Sequence, residues 1–252
     1  MVDIGKSVDG KRAAVFGASG GIGAALVTAL AARSDMAEVF AVSRRAAAVP
    51  AKVTALAFDL HDETSIAAAA AAMGGGGPID VCVVASGALT LEQAGGAGQT
   101  GPEKGWRMLD PAAMAEAYAI NAIGPALIAK HMLPLLPSRR RGVFAALSSR
   151  VGSIEDNRLG GWHSYRAAKA ALNQLVRTLS IELARVRPEA LAVTLHPGTV
   201  ATQLSAPFQR GVAAGRLFTP EQAAAQLLAV LDGLSPADSG SLFAWDGARI
   251  PF

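Results

Sequence analysis

The chain has 252 residues, 51% of them hydrophobic and 17% charged, with a formal net charge of +3. That composition excludes a disordered chain, and the one short basic run, Arg139 to Arg141, reads as a solvated loop, so no nucleic-acid partner is expected. A single cysteine, Cys82, excludes an internal disulfide framework.

Residues 12–16 form an apolar run that reads as a buried strand, and a glycine-rich turn follows it (Gly17-Ala18-Ser19-Gly20-Gly21-Ile22-Gly23). A helix is expected over 24–33, strands over 38–42 and 53–58, and a helix over 59–73 with Asp62 as its cap. Glycines break that helix over 74–78, and a fourth strand runs over 80–85. Residues 87–110 are glycine-rich and weakly periodic, which points to a functional loop. The pattern resumes with a helix over 111–135, a strand over 142–147, a helix over 162–186 and a strand over 190–195. A helix over 220–231 opens on Pro220, and a short strand over 241–245 closes the series.

Strands that alternate with helices and read as continuous apolar runs predict an α/β fold. Its form would be a single doubly wound (Rossmann) parallel sheet with helices on both faces, occupying residues 1–252 as one domain. No membrane span is read, because 66–73 is short and 114–136 carries Asn121, Lys130 and His131. The first residues lack the apolar core of a secretory signal, so a cytoplasmic protein is expected.

Four features carry chemistry. The turn Gly17-x-x-x-Gly21-x-Gly23 joins a strand to a helix start, where free N–H groups and a partial positive charge suit a phosphate. Tyr165 and Lys169 are four apart and share a helix face. Ser148 and Ser149 end a strand, where a doubly wound sheet opens its ligand crevice. Asn121 lies within a long apolar helix. Taken singly, each has a plainer reading: a connecting turn, a surface pair, a turn serine and a core amide. No His/Cys/Asp cluster has metal spacing, and no G-x-S-x-G elbow supports a hydrolase.

In this order, the glycine turn, Asn121, Ser149, Tyr165-x-x-x-Lys169 and Pro197-Gly198 resemble the short-chain dehydrogenase/reductase family over essentially the whole chain. Residues 148–157, 165–173 and the ending from Trp245 to Phe252 look like its C-factor/sniffer-type carbonyl reductase branch. The resemblance implies Asn121, Ser149, Tyr165 and Lys169 as the catalytic set. Tyr165 would be the acid/base, Lys169 would lower its pKa and hold the nicotinamide ribose, Ser149 would orient the substrate oxygen, and Asn121 would hold a relay water. It also implies cofactor contacts at Gly17, Ser19, Gly21, Ile22, Gly23, Ser43, Arg44, Asp59, Leu60, Ser86, Gly87, Pro197, Gly198, Val200 and Thr202, besides Tyr165 and Lys169.

Two positions depart from the family's pattern: Phe16 replaces the threonine of the glycine motif, and Val84-Ala85-Ser86-Gly87 replaces an Asn-Asn-Ala-Gly segment. Neutral Ser43 at the end of the second strand, followed by Arg44 and Arg45, favours NADP(H) over NAD(H), because a guanidinium can grip a 2′-phosphate that an acidic residue would repel. The expected reaction interconverts a small-molecule carbonyl and an alcohol. A nucleotide-binding regulatory protein and an isomerase or lyase using the same four residues stay open. Substrate contacts are expected from 87–110, 154–164 and 203–217, including Leu89, Leu91, Trp106, Leu159, Trp162, Leu204 and Phe208, with Phe218 nearby. Long alanine-rich helices and the resemblance together imply a homodimer or homotetramer.

Overall fold

The computed structural model describes residues 10–45, 50–92, 99–213 and 215–252. In chain order, β1 (Lys11–Phe16) leads into α1 (Gly21–Ala31), β2 (Met36–Ser43), β3 (Val53–Ala57), α2 (Glu63–Gly74) and β4 (Val81–Val84). A small hairpin, β5 (Leu91–Glu92) with β6 (Gln99–Thr100), precedes α3 (Pro111–Tyr118) and α4 (Gly124–Met132). Then come β7 (Gly142–Leu147), α5 (His163–Val186), β8 (Ala190–His196), β9 (Thr199–Val200), β10 (Leu217–Phe218), α6 (Pro220–Gly233), β11 (Leu242–Ala244) and β12 (Arg249–Ile250).

The main sheet has eight strands in the order β12-β11-β8-β7-β4-β1-β2-β3. All neighbours are parallel except β11 and β12. The chain runs outward from β1 to β3, then returns to β4 on the other side of β1. That reversal opens a crevice above the carboxyl ends of β1 and β4.

Alternation within one strand serves both faces. Ala14 and Phe16 of β1 join a core with Ile66, Met73, Ile128, Met132, Leu172 and Val176 from α2, α4 and α5. Ala13 and Val15 join a second core with Leu26, Leu30, Leu227 and Leu231 from α1 and α6. Both faces are therefore apolar and covered, as the sequence predicts. Caps fall where the residue types demand: Asp62 accepts from Thr64 N at 2.9 Å, Asp110 accepts from Ala113 N at 2.8 Å, and Thr219 with Gln222 forms a capping box.

Three expectations change. Residues 87–110 hold the β5–β6 hairpin and a 3₁₀ turn at Trp106–Met108, so the excursion is folded where it is described. α1 starts at Gly21, because Gly20 serves as its cap with no side-chain bond. The helical run from Pro111 to Leu135 is continuous, and it is long and apolar enough by composition to cross a membrane. It is nevertheless a core helix of the sheet, with Ile128, Ala129 and Met132 fully buried, and Lys130 bound to Glu63 at 2.6 Å.

That run contains a π turn at Ala119–Ile123. Pro125 explains it. Proline has no N–H for the carbonyl four residues back, here Asn121, and its ring clashes with that carbonyl in a regular helix.

Candidate active site

The crevice begins at the turn after β1. Gly17 has φ +84°, and a Cβ there would stand 2.8 Å from Ser86 N, after β4. A Cβ on Gly23 would stand 2.1 Å from the Gly17 carbonyl, so any side chain would break the turn. A Cβ on Gly21 would meet Thr202 Cγ2 at 2.9 Å, which places the segment after β8 directly over the start of α1. The first turn of α1 therefore offers open N–H groups at the reversal of the sheet. The side chain of Ile22 packs into the second core, leaving its backbone to the crevice, and Ser19 stays exposed beside it.

Ser43 is buried at the end of β2 and donates to the Arg45 carbonyl at 2.8 Å. Arg44 next to it is exposed. Asp59 lies two residues past β3, exposed, and accepts from His61 N at 3.0 Å. That backbone bond holds its carboxyl below the usual range, with the charge of Arg44 a smaller contributor. Leu60 turns its side chain to Gly124 of α4 rather than to the crevice. After β4, the buried hydroxyl of Ser86 has no hydrogen-bond partner among the described residues. Gly198 has φ +76°, and a Cβ there would strike Phe218 at 2.7 Å and Trp245 at 3.1 Å. Val200 is buried, and its carbonyl accepts from Thr202 N at 2.8 Å.

Asn121 and Lys169 come together at Gly87, and Lys169 and Ser149 both lie beside Tyr165. A Cβ on Gly87 would stand 3.2 Å from Asn121 Oδ1 and 3.5 Å from Lys169 Nζ, which explains why only this glycine of the segment is kept. Asn121 is fully buried. Its amide donates to the carbonyls of Ala88 at 2.9 Å and Ala117 at 3.0 Å, and its oxygen accepts from Ala88 N at 3.2 Å. Asn121 thus ties the segment after β4 to the helix.

Lys169 is 2% exposed, donates to the Leu147 carbonyl at 2.8 Å, and sits 5.6 Å from the centre of the Tyr165 ring. Burial pushes its ammonium down to about 7. Burial also pushes the Tyr165 phenol up to about 12, against an opposing hydrogen bond with Ser149. Ser148 instead points into the fold and donates to Asn173 Oδ1 at 2.7 Å, so Ser149 is the serine of the pair that meets the tyrosine. A Cβ on Gly152 would stand 2.8 Å from Lys169 Cβ, so the turn after Ser149 lies flush against α5.

A cavity of about 40 Å³ opens beside Tyr165, lined by Leu89, Leu91, Glu103, Met108, Ala117 and Ser164 among others. Leu89 and Leu91, expected as substrate contacts, line this cavity. Phe208 stacks on Trp162 at 4.8 Å, and Trp162 lies 6.4 Å from the Tyr165 ring. Other expected substrate contacts do not line this cavity: Leu159 is 91% exposed, Trp106 is 65% exposed, and Phe218 packs edge-on to Trp245 over the Gly198 turn. His196, the last residue of β8, has a buried Nδ1 without a partner among the described residues. Burial first, and the charge of Arg150 second, push its imidazole down to about 4. Sequence reasoning missed Glu103, a buried carboxylate in a glycine-rich stretch with no periodicity to betray it. It also missed the π turn at Asn121, although Pro125 was the available signal.

The chain matches the sequence profile of the short chain dehydrogenase family over residues 11–212. It belongs to the short chain dehydrogenase family. C-signal from Myxococcus xanthus is 39% identical over 145 residues, 57% of this chain and 81% of the relative. Several other curated relatives are matched over only about half of their length, 54–56%. Among solved structures, an NADPH-bound carbonyl reductase from chicken fatty liver superposes with a TM-score of 0.81 at 26% identity, covering 96% of this chain and 99% of that one. The carbonyl reductase Sniffer of Drosophila melanogaster gives 0.80 at 20% identity, covering 96% and 100%, and shares the fold. As a short chain dehydrogenase the protein is an oxidoreductase, and the doubly wound sheet expected from its sequence is the fold of these structures.

Proposed function

We propose that the protein is an NADP(H)-dependent carbonyl reductase, or the dehydrogenase of the matching alcohol, with residues 1–252 acting as one dinucleotide-binding domain. The observation that carries this reading is the buried Tyr165 phenol, with Ser149 beside it and Lys169 5.6 Å from its ring centre. A regulatory binder needs no such trio. The cradle fits a dinucleotide, because Gly17, Gly21 and Gly23 leave no room for side chains at an uncapped helix start, and Ser86 aims an unpartnered hydroxyl there. In that cradle Ser19, the Ile22 backbone and the glycines would receive the pyrophosphate, with Asp59, the Leu60 backbone, Ser86 and Gly87 along the adenosine half. Lys169, Pro197, Gly198, Val200 and Thr202 would hold the nicotinamide half.

The bound nicotinamide supplies or accepts the hydride. Tyr165 gives its proton to the substrate oxygen in reduction and takes one back in oxidation. Ser149 donates to the same oxygen and orients it. Lys169, bearing a proton, favours the phenolate and would also donate to the ribose. Asn121 fixes the backbone at Ala88, and its own carbonyl, which Pro125 cannot satisfy, would hold a water behind Lys169. Leu89, Leu91 and the aromatic pair Trp162–Phe208 favour an apolar substrate beside Tyr165. A broad aldehyde and ketone panel with NADPH tests the reading: at least one apolar carbonyl should consume the reduced cofactor, whereas binding of NADPH without turnover would identify a regulatory protein.

Arg44 carries the choice of cofactor. Exposed beside buried Ser43, it is placed to pair with a 2′-phosphate, and neither it nor Ser43 presents a carboxylate to the ribose hydroxyls. Ser43→Asp combined with Arg44→Ala should reverse the ratio of kcat/KM for NADPH over NADH, losing on the order of 10-fold or more in NADPH affinity as a charge-assisted contact is removed. Equal affinity of the parent protein for both cofactors would contradict the role of Arg44.

We also infer a homodimer or homotetramer, which the exposed apolar residues Ile123, Leu175, Ile181 and Val186 support. Light scattering should give a multiple of the chain mass, and a monomer at micromolar concentration would overturn this.

A further inference from the structure

We infer that Glu103 is a positioning residue that clamps the start of α5 and thereby sets Tyr165 and shapes the cavity beside it; this rests on Tyr165 being the acid/base. The start of α5 is unusual. Its cap, Trp162, stands at φ +53° with no side-chain bond of its own, a left-handed conformation that a bulky residue adopts only when its surroundings force it. Helix starts leave N–H groups that need acceptors, and none comes from the adjoining turn as a side-chain cap.

Glu103 fills that role from the excursion after β4, 61 positions upstream of Ser164. Its carboxylate accepts from Ser164 N at 3.2 Å and from the Ser164 hydroxyl, and its own carbonyl accepts from Trp162 N at 2.6 Å. The side chain is 5% exposed, and these donors with the positive end of α5 satisfy the polar atoms it buries. From the other side Arg166 donates to the carbonyls of Gly161 at 2.9 Å, Gly160 at 3.2 Å and Val151 at 3.2 Å. Glu103 thus grips Trp162 and Ser164, Arg166 grips the turn that precedes them, and Tyr165 is the next residue along.

The same contact holds the excursion down. Glu103 lines the cavity beside Tyr165 together with Leu89, Leu91 and Met108, all from that excursion, and no residue of 99–110 bonds the start of α5 by a side chain except Glu103 among the described residues. Releasing Glu103 should therefore loosen the phenol and open the cavity at once, while leaving the glycine cradle untouched.

The test compares Glu103→Ala, Glu103→Gln and Ser164→Ala in the full chain. Glutamine can keep both contacts, since its oxygen accepts from the Ser164 N–H and its amide can donate to the Ser164 hydroxyl. Glu103→Ala should lower kcat for the best carbonyl on the order of 10-fold, through misplacement of the acid, with a smaller rise in KM. The NADPH dissociation constant should stay unchanged. Glu103→Gln should recover most of the kcat, and the Glu103→Ala/Ser164→Ala double variant should lose no more than Glu103→Ala alone. Hydrogen exchange at residues 162–168 should quicken in Glu103→Ala and not in Glu103→Gln. Unchanged exchange there, or quickened exchange with unaltered kcat, would overturn the proposal. Should Glu103→Ala fail to fold, Glu103→Asp still decides it, since its carboxyl is one methylene short of Ser164 and parental exchange and kcat in that variant would refute the clamp. A parent protein inactive on every carbonyl would refute the functional reading instead, and the exchange result would still decide whether the clamp exists.

Discussion

Replacing Tyr165 with Phe is expected to lower turnover by on the order of 10²-fold or more, the usual worth of a positioned acid, while leaving NADPH affinity near that of the parent. Phenylalanine keeps the ring, which is 9% exposed and packed against Trp162, so the fold has no reason to change. Only the hydroxyl shared with Ser149 goes. Steady-state rates with a cofactor titration on the same sample check this, and parental turnover would remove Tyr165 from the chemistry. The pH dependence has a definite sign. Burial holds the phenol protonated far above neutrality, at about 12. Reduction, which needs the acid form, should be flat through neutral pH and fall only in the alkaline range. Oxidation, which needs the phenolate, should rise with pH.

Lys169→Ala is expected to lose turnover as strongly and also to weaken NADPH binding, by on the order of 10-fold or more, as expected for a lost charged hydrogen bond to the ribose. A titration giving parental affinity would remove the ribose role. The variant should also change how stability responds to pH. In the folded chain burial brings Lys169 down from 10.5 to about 7. Between those values the unfolded chain binds the extra proton, so the parent loses stability as pH falls from about 10.5 to 7. The alanine variant has no such group, and its melting temperature should depend less on pH across that window. A parallel dependence in the two proteins would show that Lys169 keeps its charge when buried.

Much of this was legible in the sequence for physical reasons. Strands covered on both faces must be apolar at every position, and runs such as 12–16 and 142–147 advertise that. The glycines of the first turn are legible because Gly17 and Gly23 have no alternative: one needs positive φ, and a Cβ on the other would collide with the backbone. Tyr165 and Lys169 were legible because four residues is one helical turn. Long-range partners were not. Glu103 meets Ser164 across 61 positions, and no local pattern encodes that meeting. Which of Leu89 and Trp106 lines the cavity depends on how the excursion folds back, and composition alone treats them alike. His196 shows the same limit, since a strand-end histidine reads identically whether or not its ring finds a partner.

The most direct test of the account is isotopic. The carbonyl that turns over fastest is reduced with NADPH carrying deuterium on the transferable C4 position, and the alcohol is analysed by mass spectrometry. Hydride transfer should leave one deuterium on the carbinol carbon in the parent protein, a hydroxyl proton drawn from water, and almost no labelled alcohol from Tyr165→Phe. An alcohol formed without the label, or product appearing with no oxidation of the cofactor, would contradict hydride transfer and point to an isomerase or lyase acting through the same four residues.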